Sequence, residues 1–218
     1  MTSYILETTS KPPLSGNEPK QLIVLCHGYG GDGKDISTLA NGWQRFLPDA
    51  IFLSPNAPEI CSVNPSGYQW FDLSSENEEE ILEKSLVAEE KLNIYLDQIL
   101  EDLKINSNNL GLVGFSQGCM MILQTGLKRK KTVKCMIGYS GKIINQKHLS
   151  NNINSKPKTF LMHGANDTIV SPTHLLESKE YLSNHGIKIK TKLFNKCEHR
   201  IPTEGMSLGL EFLKKNLL

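Results

Sequence analysis

Residues 109–118, Asn109-Leu110-Gly111-Leu112-Val113-Gly114-Phe115-Ser116-Gln117-Gly118, join an apolar run to a Gly-x-Ser-x-Gly pentapeptide. Leu110 to Val113 has the continuous apolar character of a strand buried on both faces. Cys119 to Gln124 follows as a helix-like segment. Strand, tight turn and helix form the setting in which this pentapeptide means a nucleophile elbow. The serine of such a turn is strained and its neighbours are crowded, which favours glycine at both flanks. The Ser116 hydroxyl is then presented at the carboxyl end of its strand, above a helix N-terminus that favours developing negative charge. A chance pentapeptide in a strand–helix loop is the plain alternative, and the flanking pattern weighs against it.

Outward from this stretch the chain alternates buried strands with helices. Gln21 to Cys26 reads as a strand ending in His27-Gly28-Tyr29-Gly30-Gly31-Asp32-Gly33, a loop with four glycines. A helix is expected over residues 35–46, and a strand over Ala50 to Ser54. The loop from Asn56 to Ser75 carries Tyr68, Trp70 and Phe71. Loops of that length are usually functional or disordered, and its aromatic content argues against disorder. Ser75-x-x-Glu78 has the form of a capping box for a long helix ending near Leu103. The acidic cluster Glu76, Glu78, Glu79 and Glu80 suits that helix N-terminus and calls for no metal. Strands are expected over Val133 to Ser140, Thr159 to Met162 and Ile187 to Phe194, the last at a sheet edge. Helices are expected over Thr173 to Asn184 and from Pro202 to about Leu217, and Tyr4 to Thr8 is a candidate first edge strand. Residues 145–158 read as a polar loop. The pattern predicts an α/β fold: a mostly parallel sheet with helices on both faces, built as one domain over residues 1–218.

Composition narrows the function. The chain has 218 residues and a net charge of +1, which gives no basis for nucleic acid as a partner. Lys128-Arg129-Lys130-Lys131 is the only dense basic run, and a solvated helix end accounts for it. The five cysteines are odd in number and form no Cys-x-x-Cys, which suits a reducing compartment. Met1 to Gln21 lacks the apolar core of a signal peptide, and no run is long enough to span a bilayer. These features point to a cytoplasmic protein with no stable membrane insertion. No spacing resembles a zinc site, and no Walker or dinucleotide motif occurs, so neither metal nor cofactor is expected. Nothing in the sequence sets the oligomeric state.

Ser116 needs a base, and that base needs a carboxylate to hold its tautomer. In this fold the order is serine, acid, histidine. Asp167 is the only aspartate after Ser116 and stands just beyond a strand end. Of His148, His163, His174, His185 and His199, only His199 follows the last strand in a loop before the last helix, so it is the candidate base. Glu198 is a competing carboxylate, badly placed to bond its own neighbour. The oxyanion donors expected are the backbone N–H of Gln117 and one from the glycine-rich loop, assigned to Tyr29.

The motifs Leu25 to Gly33, Gln69-Trp70-Phe71-Asp72, Gly114 to Gly118, His163-Gly164-Ala165-Asn166-Asp167 with Val170, and His199 with Ile201-Pro202 occur in this order over nearly the whole chain. The chain resembles the phospholipase/carboxylesterase family of α/β-hydrolases, which includes acyl-protein thioesterases. The resemblance implies a Ser116–Asp167–His199 triad, an oxyanion hole from Tyr29 and Gln117, and hydrolysis of a small ester, lipid or acylated-protein substrate. It also implies an acyl groove between the Trp70 loop and the stretch after Ser140, for which Trp70, Phe71 and Ile143 are the candidate lining residues. A dienelactone-hydrolase-like enzyme would normally carry cysteine in place of Ser116, and a non-catalytic module would have lost a triad member.

Overall fold

Alternate residues of the buried strands project to opposite faces, and each face packs its own layer of helices. The computed structural model describes residues 4–75 and 77–218; of the acidic cluster, Glu76 lies outside them. The strands are β1 (Thr8–Lys11), β2 (Gln21–Cys26), β3 (Ala50–Pro55), β4 (Glu59–Ile60), β5 (Tyr68–Gln69), β6 (Leu110–Phe115), β7 (Cys135–Tyr139), β8 (Lys158–Gly164) and β9 (Ile189–Phe194). The helices are α1 (Gly33–Ile36), α2 (Thr38–Trp43), α3 (Glu78–Asp102), α4 (Gln117–Lys128), α5 (Gln146–Ser150), α6 (Thr173–Asn184) and α7 (Thr203–Leu217). The main sheet runs β1-β3-β2-β6-β7-β8-β9, parallel except for β1.

Leu22, Val24, Leu110, Leu112 and Met136 face α3, α4 and α6, where Leu92, Leu96, Met121 and Leu182 are buried. Ile23, Leu25, Val113, Ile137 and Phe160 face Leu39 and Trp43 of α2 and Leu213 and Leu217 of α7. From β2 the chain steps outward to β3, whereas from β6 it steps the other way to β7. The carboxyl ends of β2 and β6 therefore flank the switch point of the sheet, where open α/β sheets place their ligand crevices.

Several local expectations shift. The first strand is Thr8–Lys11 rather than Tyr4 to Thr8, because Tyr4 instead packs edge-on against Tyr95, centroids 5.7 Å apart. The helix expected over 35–46 is two short helices that meet at Ser37, whose hydroxyl donates to Lys34 O at 2.7 Å. The capping box does not form. Asn77 caps α3 through Glu79 N and Glu80 N, so Glu78 occupies the first helical position rather than the third. The polar stretch after β7 holds α5, capped by Asn145. In the basic run, Arg129 is buried, bonding Asn93 Oδ1 at 2.8 Å and Asp97 at 2.5 Å, while Lys128 pairs with Glu89 at 2.7 Å. Half of that run thus fastens α4 to α3 rather than ending a helix in solvent. Among the described residues no helix is long and apolar enough to cross a membrane.

Candidate active site

Ser116 stands between β6 and α4 with φ 53° and ψ −118°, a left-handed conformation that a serine adopts only under constraint from its surroundings. Its own N–H donates to Tyr139 O at 2.8 Å, and its carbonyl accepts from Met120 N at 3.1 Å. The two flanking glycines make the turn possible. A Cβ at Gly114 would lie 2.6 Å from Cys119 N, and one at Gly118 would lie 2.6 Å from His27 O. The elbow is therefore wedged against the end of β2, and any side chain at either glycine would push the serine out of place.

Two loops from distant parts of the chain meet Ser116. The Ser116 hydroxyl is 2.9 Å from His199 Nε2, and His199 Nδ1–H donates to Asp167 Oδ2 at 2.8 Å. Asp167 sits in the loop after β8 and His199 in the loop after β9. Gly164 lets those loops touch, since a Cβ there would lie 2.5 Å from Glu198 O. The other oxygen of Asp167, Oδ1, accepts from Ile169 N at 3.0 Å and Val170 N at 2.9 Å. Burial raises the Asp167 carboxyl, but the Val170 amide, the His199 ring and the Ile169 amide outweigh it and hold the group below its ordinary value. It is thus kept as an anion that fixes the His199 tautomer. The ring of Phe115 lies 4.9 Å from that of His199 and limits how it can turn.

Three features here were not read from the sequence. His163, set aside as a base, is buried against the acid: its Nε2–H donates to Val170 O at 2.9 Å and lies 3.2 Å from Asp167 Oδ2. Burial lowers its pKa against the opposing pull of Val170 O and the Asp167 charge, which favours the neutral ring. The Gln117 side chain bridges the elbow to the Trp70 loop, accepting from Trp70 N at 2.9 Å and donating to Phe71 O at 2.6 Å. His27 is buried with both ring nitrogens bonded to backbone. The repeated His-Gly pair, just after β2 and at the end of β8, was the available signal for the two histidines.

A cavity of about 270 Å³ opens beside Ser116. Tyr29 and Gln117 line it with the serine, and Phe71, Leu73, Ile81, Met120, Ile144, Ile169 and Val170 give it an apolar wall. Lys142, His174, Glu78 and Ser171 supply its polar groups. Among the described residues, neither the Tyr29 N–H nor the Gln117 N–H is spent in a backbone hydrogen bond. Two of the three expected lining residues are corrected. Trp70 is fully buried and does not reach the cavity; its indole N–H donates to His27 O at 3.0 Å, which makes it a pin for the loop. Ile143 packs against the core, whereas its neighbours Lys142 and Ile144 line the cavity. Phe71 is also fully buried, yet its ring forms part of the cavity wall. A larger open groove, about 680 Å³, lies between β9 and α7 and is lined by Lys158, Lys188 and Lys190. It sits at the amino ends of the strands, away from Ser116, and none of its lining residues is a nucleophile paired with a base.

A strained serine at a strand end, an imidazole on its hydroxyl and a buried carboxylate on that imidazole together define a serine hydrolase of the α/β-hydrolase fold. The chain belongs to the phospholipase/carboxylesterase family, whose model matches residues 14–217, and it is a carboxylic ester hydrolase. It is 22% identical over 218 residues to esterase YpfH of Escherichia coli, covering 97% of this chain and 87% of that protein. It is 27% identical over 203 residues to acyl-protein thioesterase 1 of Schizosaccharomyces pombe, covering 87% and 88%. The crystal structure of esterase PE8 superposes with a TM-score of 0.93 at 34% identity, covering 97% of this chain and 99% of that one.

Proposed function

We propose that Ser116 is the nucleophile of an ester or thioester hydrolase, with His199 its base, Asp167 the acid that orients the base, and the Tyr29 and Gln117 amides the oxyanion donors. The observation that carries this is the unbroken relay from Asp167 Oδ2 through His199 to Ser116 Oγ, with links of 2.8 and 2.9 Å. His199 Nε2 takes the hydroxyl proton as Oγ bonds to the substrate carbonyl carbon. The carbonyl oxygen becomes an oxyanion facing the two amides. As the tetrahedral adduct collapses, the bond to the alcohol or thiol breaks and His199 gives that leaving group the proton. Water, deprotonated by the same ring, then releases the carboxylic acid and restores Ser116.

The apolar wall of Phe71, Ile81, Met120 and Ile144 suits an acyl chain carried by a small ester, a lipid or an acylated protein. All five cysteines are free and buried, which supports a cytoplasmic setting. Rapid mixing with a p-nitrophenyl ester, followed by intact-mass measurement, tests the scheme. A burst of nitrophenol should accompany a mass gain of one acyl group, located on the peptide containing Ser116. A linear release with no acylated protein, even when deacylation is slowed at low pH, would count against a covalent intermediate.

A further inference from the structure

The ring of His27 is sealed from solvent and bonds the backbone at two points. Its Nδ1 lies 2.7 Å from Gly28 O, and its Nε2 lies 2.9 Å from Ala57 N. An amide N–H can only donate, so Nε2 carries the lone pair and Nδ1 carries the proton. Only this neutral tautomer satisfies both neighbours. The His27 carbonyl accepts from the Trp70 indole at 3.0 Å, and Trp70 N is in turn held by the Gln117 side chain at 2.9 Å.

The partner of Nδ1 decides what the ring does. Gly28 C=O and Tyr29 N–H belong to one planar trans peptide, so they point in opposite directions. Holding the carbonyl therefore aims the amide. Gly28 O also accepts from Gly31 N at 3.1 Å, closing a turn, but that bond alone leaves the peptide free to tilt about the chain. A second bond, from a rigid ring itself anchored at Ala57, removes that freedom. We propose that His27 is a positioning residue for the reaction: its Nδ1–H holds the Gly28–Tyr29 peptide plane and so keeps the Tyr29 amide directed at the developing oxyanion. The proposal rests on the reading above that Tyr29 supplies one oxyanion donor. The hydrogen bond also polarises the peptide, which makes the Tyr29 N–H a stronger donor. The Trp70 and Gln117 links tie the same frame to the second donor, so both amides are set against one rigid unit.

Two substitutions divide the ring's functions. In His27→Asn the amide nitrogen takes the place of Nδ1 and can still donate to Gly28 O, while Ala57 N loses its acceptor. In His27→Gln the amide oxygen reaches the place of Nε2 and accepts from Ala57 N, while Gly28 O loses its second donor. Both variants should melt earlier than the parent. His27→Gln should lower kcat by roughly 10² to 10³, the loss associated with one oxyanion donor, with little change in KM. His27→Asn should retain kcat within about tenfold. Affinity for a trifluoromethyl ketone, which forms a tetrahedral oxyanion on the serine, should weaken in step with kcat. Equal kcat losses in the two variants, or losses that follow melting temperature alone, would overturn the proposal. A measurement on the unmodified protein guards against misfolding: the Nδ1–H proton resonance of His27 should shift when the ketone binds, and an unmoved resonance would overturn it too. If Ser116→Ala keeps hydrolysing the ester, the fault lies in the assignment of the nucleophile rather than in His27.

Discussion

Asp167→Asn changes one atom of the carboxylate and reverses its meaning for the base. Oδ1 remains to accept from Ile169 N and Val170 N, at 3.0 and 2.9 Å, so the loop keeps its shape. Oδ2 becomes an NH2 group facing His199 Nδ1 at 2.8 Å and His163 Nε2 at 3.2 Å, two positions that now hold donors. His199 escapes the clash by moving its proton from Nδ1 to Nε2. Nε2 then presents a hydrogen, not a lone pair, to the Ser116 hydroxyl 2.9 Å away. The imidazolium formed during reaction also loses its counter-charge. The corresponding exchange in the trypsin triad lowers kcat by about 10⁴, and about 10⁴ is expected here, or ~5.5 kcal/mol of activation free energy. Hydrolysis of p-nitrophenyl butyrate at saturating concentration and pH 7.5 measures it, with KM little changed because the acyl cavity is untouched. A folded Asp167→Asn protein whose kcat stays within tenfold of the parent would refute the claim that Asp167 sets the tautomer.

Three further outcomes follow from the packing. Phe71→Ala should enlarge the cavity and move the preferred acyl chain to longer esters, at a stability cost of about 3–5 kcal/mol because the ring is fully buried; a series of p-nitrophenyl esters and a melting curve read both, and an unmoved chain-length profile would remove Phe71 from the acyl wall. Trp70→Phe should strand the buried His27 carbonyl and cost about 1–3 kcal/mol, read by urea unfolding; a loss below ~0.5 kcal/mol would show that another group satisfies it. Burial holds His27 and His163 below the ordinary 6.5, against the opposing pull of their backbone bonds to Gly28 and Val170. The unfolded chain therefore binds protons near that value that the native chain does not, and stability should fall as pH drops from 7 toward 5, with the loss from Asp167 confined to the region below 3.8. A melting temperature flat across pH 5–7 would contradict the neutral, buried state of these rings.

The legible parts of this chain are those where a local pattern has one physical meaning. Leu110 to Phe115 could only be a central strand once Gly114 and Gly118 flanked a serine, and α6 fell on Thr173–Asn184 as its pattern predicted. Asp167 and His199 followed from chain order, and the structure brings both to Ser116. What was not legible depends on pairing across the fold. Trp70 looked like pocket surface because an aromatic in a long loop often is; its burial arises from Gln117 and the His27 carbonyl, which are distant in sequence. Ile143 and Ile144 differ by one position, and irregular backbone gives no period from which to choose between them. Asn77 took the cap from Ser75 because helix α3 starts two residues later than a capping box at Ser75 requires. Arg129 looked solvated because its partners, Asn93 and Asp97, lie on another helix.

The central claim is that Ser116, strained in its turn and relayed to Asp167 through His199, is the group that attacks the substrate. Treatment with a fluorophosphonate probe, followed by peptide mapping, tests it most directly. The expected result is one phosphonylated residue, Ser116, with hydrolysis lost in proportion to labelling, and no labelling of a folded Ser116→Ala protein. Phosphonylation at another residue, or undiminished labelling and hydrolysis in Ser116→Ala, would contradict it.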